Sequence, residues 1–301
     1  MPGLPGVAPA AVSCSGDSSG DPGGGFMTDR AEQNVARFYG TVGWRATEGV
    51  TEDARQWEDL RPCAADYVSR CRRRVLRHIP PAGERLLDMA SGPVQYTEYI
   101  EYSGNFQRRY CVDLSAEALR QARERLGEHG VYLCGSFFDL ELPDDFFDCS
   151  ISLHTIYHIA ADRQEAAVRK LLRVTKPGQP VIIVYSNPDA VKLSPKALIP
   201  FRQRYKAWRR RRRQSKGIYF RPHPLDWWQR FQDVADIEMH PWRSLTAADQ
   251  KRWFPDNRLG RWLFDRLYAL EERYPDFFLR HFAYPMIVLR KRRAGRGESP
   301  A

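Results

Sequence analysis

Between residues 85 and 185 short apolar runs alternate with longer amphipathic ones, and few folds accept that pattern. Runs at 85–89, 109–113, 131–135, 149–153 and 180–185 have strand length and strand composition. The segments 93–102, 116–128 and 161–174 between them read as helices, with Leu119, Ala122 and Leu126 on one face of the second. Lys176-Pro177-Gly178 supplies the turn that ends the third. Strands separated by whole helices cannot pair as hairpins, so they predict a parallel, doubly wound α/β sheet.

The flanks are less regular. Residues 28–84 read as a helical cap, with Val35/Phe38/Tyr39 and Tyr67/Cys71/Val75 at helical spacing and two glycines interrupting the aromatic stretch from Phe38 to Trp44. Residues 85–187 are the core. Residues 188–293 hold two insertions, 188–222 and 246–282, around a helix at 225–231, a sixth strand at 237–242 and a closing strand at 284–289. The second insertion includes an amphipathic stretch at 262–270. Residues 1–27 and 294–301 are expected to be disordered tails, the first rich in Gly, Pro and Ser and without Lys or Arg up to residue 26. That tail lacks a basic n-region and an apolar h-region, so it does not read as a secretory signal, and Met1 and Met27 stand as alternative translation starts. No run of about 18 apolar residues is present, so no membrane-spanning helix is expected. Six cysteines without C-x-x-C or zinc-ligand spacing suit a reducing, cytoplasmic setting.

In a doubly wound sheet ligands sit beyond the carboxyl ends of the strands, where the strand order reverses. The first strand ends in Asp88-Met89-Ala90-Ser91-Gly92-Pro93, a loop of small residues that lets the backbone approach a ligand. The second ends at Asp113, 21 residues beyond Gly92, the distance at which an acid can accept from ribose hydroxyls. There is no Gly-x-Gly-x-x-Gly, which weakens a dinucleotide reading.

Taken in order, these segments resemble the class I S-adenosylmethionine-dependent methyltransferases. Leu86-Leu87-Asp88-Met89-Ala90-Ser91-Gly92-Pro93 and Cys111-Val112-Asp113-Leu114-Ser115 look like motifs I and II of that family. Gly135-Ser136, the run from Leu142 to Asp148, the run from Ser152 to His158, and Arg173 to Gly178 look like its later landmarks. The resemblance covers roughly residues 30–187. It implies a Rossmann-like seven-stranded sheet whose last strand is antiparallel, and S-adenosyl-L-methionine as cofactor. It further implies Asp88 and the Ala90, Ser91 and Gly92 backbone by the methionine moiety, Asp113 on the ribose and Leu114 against the adenine. Ser136 and Phe137 would meet the adenine edge, and Leu153 and His154 would line the methyl-donor pocket. Two departures stand out. The usual Gly-x-Gly-x-Gly is Ala90-x-Gly92-x-Val94 here, and Ser136 replaces the usual adenine-binding acid.

Tyr39 and Trp44 lie where this family folds a helix over the cofactor; an aromatic lid competes with ordinary core packing. His158, just after the fourth strand, is the candidate general base, with helix capping as its competing role. His154 and His158 are four apart, but no adjacent Glu or third ligand accompanies them, so no metal is expected.

Charge divides the chain. Residues 188–301 carry 26 Lys and Arg against 12 Asp and Glu, whereas residues 1–187 carry 21 against 25. From Phe201 to Pro222 there are ten basic residues and no acid, with Tyr205, Trp208, Tyr219 and Phe220 interleaved. Such a run suits a phosphorylated or glycosylated small-molecule acceptor, an RNA, or peripheral contact with an anionic membrane, and equally a solvated face. The small molecule ranks above nucleic acid because no RNA-binding module accompanies the run. Trp253, Phe254, Trp262, Phe264 and Tyr268 are a substrate wall or a local core. The expected activity is methylation of an oxygen or nitrogen of a small molecule in secondary metabolism; an RNA methyltransferase and a non-catalytic binding protein are the alternatives.

Overall fold

The computed structural model describes residues 30–44, 46–47, 50–191 and 218–292. The expected tails, the question of Met27 and most of the basic run, from Arg202 to Lys216, lie outside the described residues.

Seven strands form one sheet: β1 (Gly83–Met89), β2 (Phe106–Asp113), β3 (Gly130–Cys134), β4 (Cys149–Leu153), β5 (Pro180–Val184), β6 (Ala235–Arg243) and β7 (Tyr284–Lys291). Their order is β3-β2-β1-β4-β5-β7-β6. The first five are parallel, and β7 runs antiparallel between β5 and β6. Strand order reverses between β1 and β4, which fixes where a ligand crevice opens. All five residues of β5 are buried, as expected of a strand covered on both faces.

The helices follow the sequence with instructive exceptions. α1 (Arg30–Phe38), α2 (Glu52–Trp57) and α3 (Ala65–Arg73) build the cap, but two two-residue strands, Ala46–Thr47 and Val50–Thr51, interrupt it. The helix expected at 93–102 is reduced to α4 (Thr97–Glu101). Ala90, Gly92 and Val94 all have φ between 50° and 59°, a left-handed backbone that no α-helix accommodates. α5 (Ala116–Leu126) starts on a Ser115 cap, whose hydroxyl accepts the Ala118 N–H, and buries Leu119, Ala122 and Leu126 as expected. α6 (Gln164–Val174) precedes β5, and the 225–231 segment is a 3-10 helix rather than an α-helix. α7 (Ala247–Trp253), α8 (Arg258–Arg273) and α9 (Pro275–His281) fill the stretch before β7.

Phe264 of α8 stacks on Phe254 at 4.2 Å and on Tyr67 at 5.0 Å. These aromatics are therefore a local core against α3, while Trp253 and Trp262 are exposed. No disulfide links the described cysteines. Among the described residues no helix is long and apolar enough to cross a membrane.

Candidate active site

A cavity of about 2090 Å³ opens at the carboxyl ends of the strands, roofed by the N-terminal cap. One end is built from backbone. Asp113, at the tip of β2, accepts the Gly92 N–H on Oδ2 and the Ser115 N–H on Oδ1, both at 2.8 Å. Those two bonds lock the loop after β1 to the end of β2. Burial raises the Asp113 carboxyl to about 6 despite the two backbone donors, so a further hydroxyl donor would stabilise its charged form. Leu114, Phe137 and Phe138 give this end an apolar wall.

The left-handed run through Ala90, Gly92 and Val94 turns the loop tightly over this end. A Cβ on Gly92 would stand 3.0 Å from the Trp44 ring. Trp44 stacks on Tyr39 at 4.8 Å, and its carbonyl accepts the Gln121 amide at 3.1 Å. Its buried Nε1 makes no hydrogen bond. The aromatic pair thus lies over the glycine loop, and both rings border the cavity. Tyr39 also donates to Asp53 Oδ1 at 3.2 Å, and burial lifts the Asp53 carboxyl to about 6.

The predicted cofactor residues are mostly brought together: Tyr39, Asp88, Ala90, Ser91, Gly92, Asp113, Leu114, Phe137, Leu153 and His154 all border the cavity. Two have other engagements. Asp88 Oδ2 is held by the buried Arg109 guanidinium, whose Nε donates at 3.1 Å, so its carboxylate is already paired. Ser136 is buried outside the cavity wall, and its hydroxyl accepts the Phe138 N–H at 3.2 Å. Asp139 is exposed.

His158 borders the same cavity. Its Nδ1 lies 2.6 Å from the Tyr219 carbonyl, which can only accept, so Nδ1 carries the proton and Nε2 keeps its lone pair. Tyr219 is itself fixed, its N–H donating to Asn34 Oδ1 and its hydroxyl accepting the Ala161 N–H. Burial pushes His158 down to about 4, against the opposing pull of that carbonyl. His154 is held differently. It has a φ of 60°, its Nδ1 is 3.1 Å from the Tyr157 hydroxyl, and its ring packs edge-on against Trp242 and Tyr284. Burial, and then the charge of Arg243, push it down to about 3.

Beyond His154 lies a buried ionic cluster with no signal in local sequence. Arg243 donates to Glu58 Oε2 at 2.6 Å, and Arg72 lies 3.4 Å from Oε1. Burial alone would raise Glu58, but Arg243 and Arg72 overcome it and hold the carboxylate below its ordinary range. Arg72 sits 3.3 Å over the Tyr96 ring and 3.7 Å from Glu98. Asp53, Glu58, Arg243 and Tyr284, which all border the cavity, are thus functional candidates that sequence spacing did not indicate.

Residues 87–183 match the family described as a methyltransferase domain. The ubiquinone/menaquinone biosynthesis C-methyltransferase UbiE of Yersinia pestis bv. Antiqua (strain Antiqua) is 29% identical over 119 residues, 37% of this chain and 47% of that protein. UbiE of Proteus mirabilis (strain HI4320) is 30% identical over 118 residues, 37% of this chain and 46% of that protein. The chain therefore spans about half the length of the curated relatives it matches. Among solved structures, the DhpI–SAH complex superposes with a TM-score of 0.50 at 15% identity, covering 87% of this chain and 97% of that one, a likeness of fold.

Proposed function

We propose that this chain, whose residues 87–183 are a class I S-adenosylmethionine-dependent methyltransferase domain, methylates an oxygen or nitrogen of a small molecule in secondary metabolism. The observation that carries the proposal is that one cavity is bordered by both a backbone-held acid, Asp113, and a histidine, His158, whose Nδ1 is tied to a carbonyl. The cavity exceeds the roughly 300–1,000 Å³ of an ordinary small-molecule pocket, consistent with room for both a cofactor and an acceptor.

The residues present suit the cofactor. The left-handed loop, the paired backbone donors on Asp113 and the apolar wall of Leu114, Phe137 and Phe138 form a cradle for a nucleoside. When bound, S-adenosylmethionine supplies an already activated methyl carbon. The protein's task is then to hold the acceptor in line, which can contribute about 7–11 kcal/mol. His158 Nε2 takes the acceptor's proton while Tyr219 steadies the ring, and the Tyr39–Trp44 pair excludes water from the loop. The many ring faces on the cavity wall favour an acceptor with an aromatic portion.

The test begins with a screen of metabolites for a mass gain of one methylene. With an acceptor found, His158→Ala should lower kcat about 10²–10⁴-fold and leave cofactor affinity unchanged. The acid limb of kcat/KM should fall near pH 4, where burial holds His158, rather than near 6.5. An unchanged rate in His158→Ala, with a loss in Asp53→Asn, would move the base to Asp53. Absence of cofactor binding at millimolar concentration would remove the enzyme reading altogether.

A further inference from the structure

Away from the cavity, the turn after α3 meets the edge strand β6 through side chains that the proposed reaction does not use. We propose that His78, Glu238 and His240 form a divalent-metal site of the zinc class, which ties the helical cap to the edge of the sheet. One donor atom from each residue lies within 4.8 Å of the other two. His240 Nε2 and Glu238 Oε2 are 3.5 Å apart, close to the roughly 3.4 Å between two ligands of a tetrahedral ion with bonds of about 2.0–2.2 Å. His240 Nε2 is buried and has no hydrogen-bond partner, and the two imidazole rings stand 4.5 Å apart.

The frame is set by regular structure. Glu238 and His240 are alternate residues of β6, so their side chains share a face, and they are in register with Val288 and Met286 of β7. The turn that carries His78 is docked on the same strand by Arg74, whose Nη1 donates to the Trp242 carbonyl at 2.9 Å. Arg290 lies 3.8 Å from Glu238 Oε1, which leaves Oε2 turned toward His240. Two imidazoles and one carboxylate favour Zn²⁺ over Ca²⁺ or Mg²⁺, and three protein ligands leave a fourth position for water. The nearby Arg290 opposes a cation, so micromolar rather than nanomolar affinity is expected.

The experiment uses the full chain, stripped with a chelator and titrated calorimetrically with ZnCl₂. The wild type should take up one Zn²⁺ per chain with micromolar affinity, and its thermal midpoint should rise with added metal. His78→Ala and Glu238→Gln, at partly exposed positions that should not impair folding, should each weaken binding at least tenfold and abolish the metal-dependent rise. Co²⁺ should give a visible absorption band in the wild type that His240→Ala lacks. No stoichiometric uptake by the wild type, or undiminished affinity in the His78→Ala/Glu238→Gln double variant, would overturn the site and leave the two rings as an ordinary tilted pair.

Discussion

The two ends of the cavity are built in opposite ways. At the loop after β1 the framework is backbone donors gathered around one side chain: Gly92 and Ser115 N–H groups on the Asp113 carboxylate, with the Ser91 N–H on the Val112 carbonyl and the Gly135 N–H on the Asp113 carbonyl. At the far wall the framework is side chain on side chain across long separations. Arg243 meets Glu58 across 185 residues, and behind the wall Tyr67 donates to Glu271 at 2.7 Å across 204. Apart from its one acid, the first end tolerates many residue types but demands particular dihedrals and spacings. A side-chain-built wall demands particular residues and leaves no spacing to read.

The largest effect should break the first end. Gly92 has a φ of 55°, and a Cβ there would stand 3.0 Å from the Trp44 ring, closer than ordinary contact. Gly92→Arg should abolish S-adenosylmethionine binding in calorimetry while circular dichroism reports an intact fold. Retained binding would show that the loop does not contact the cofactor.

The far wall should instead fail through stability. Glu58→Gln leaves Arg243 and Arg72 without their shared carboxylate, with the Arg243 side chain only 3% exposed. Breaking a buried pair from one side costs about 3–5 kcal/mol, measurable by urea unfolding. The double variant Glu58→Gln/Arg243→Met should recover much of that loss. If Glu58→Gln costs under about 1 kcal/mol, the pair behaves as a surface ion pair and the contrast between the two ends weakens.

A smaller effect separates the ends by pH. His154 is held near 3 in the folded chain and near 6.5 when unfolded, so the unfolded state binds the extra proton between those values. Stability from this group is therefore complete above about 6.5 and is lost as pH falls toward 3, at up to about 1.4 kcal/mol per pH unit. Asp113, raised to about 6, acts with the opposite sign: its contribution is present below about 4 and lost as pH rises through 6. His154→Gln should thus be relatively more stable at pH 5 than at pH 8 by up to about 2 kcal/mol, compared with wild type. An unchanged pH profile would place solvent at the ring.

The same contrast explains what could be read from sequence. The doubly wound sheet was legible because alternation of short and long apolar runs is a local property, and each of the five runs became a strand. The placement of Gly92 and Asp113 at neighbouring strand tips was legible because a strand–helix–strand unit brings successive parallel strands side by side, whereas the bond between them was not. The helix at 93–102 was misjudged because small-residue composition does not reveal that Ala90 and Val94, neither a glycine, take left-handed dihedrals. Asp88 reads as a free ligand in sequence, and only the packing of Arg109, 21 residues on, shows its carboxylate paired. Tyr219 was assigned to a basic run, and its carbonyl proved to set the His158 tautomer from 61 residues away.

Ser136 gives the smallest and most pointed test of the backbone-built end. The resemblance to class I methyltransferases places it at the adenine edge, in the position of an acid, yet its hydroxyl is turned to the Phe138 N–H within its own turn. If backbone geometry rather than side-chain chemistry makes this end, the hydroxyl matters to the turn and not to the ligand. Ser136→Ala should then cost about 1 kcal/mol of stability for one lost hydrogen bond. S-adenosylmethionine affinity should stay within about twofold, or roughly 0.4 kcal/mol. A tenfold loss of affinity without loss of stability would reverse the assignment: Ser136 would have to rotate onto the ligand, and this end would depend on a second side chain beside Asp113.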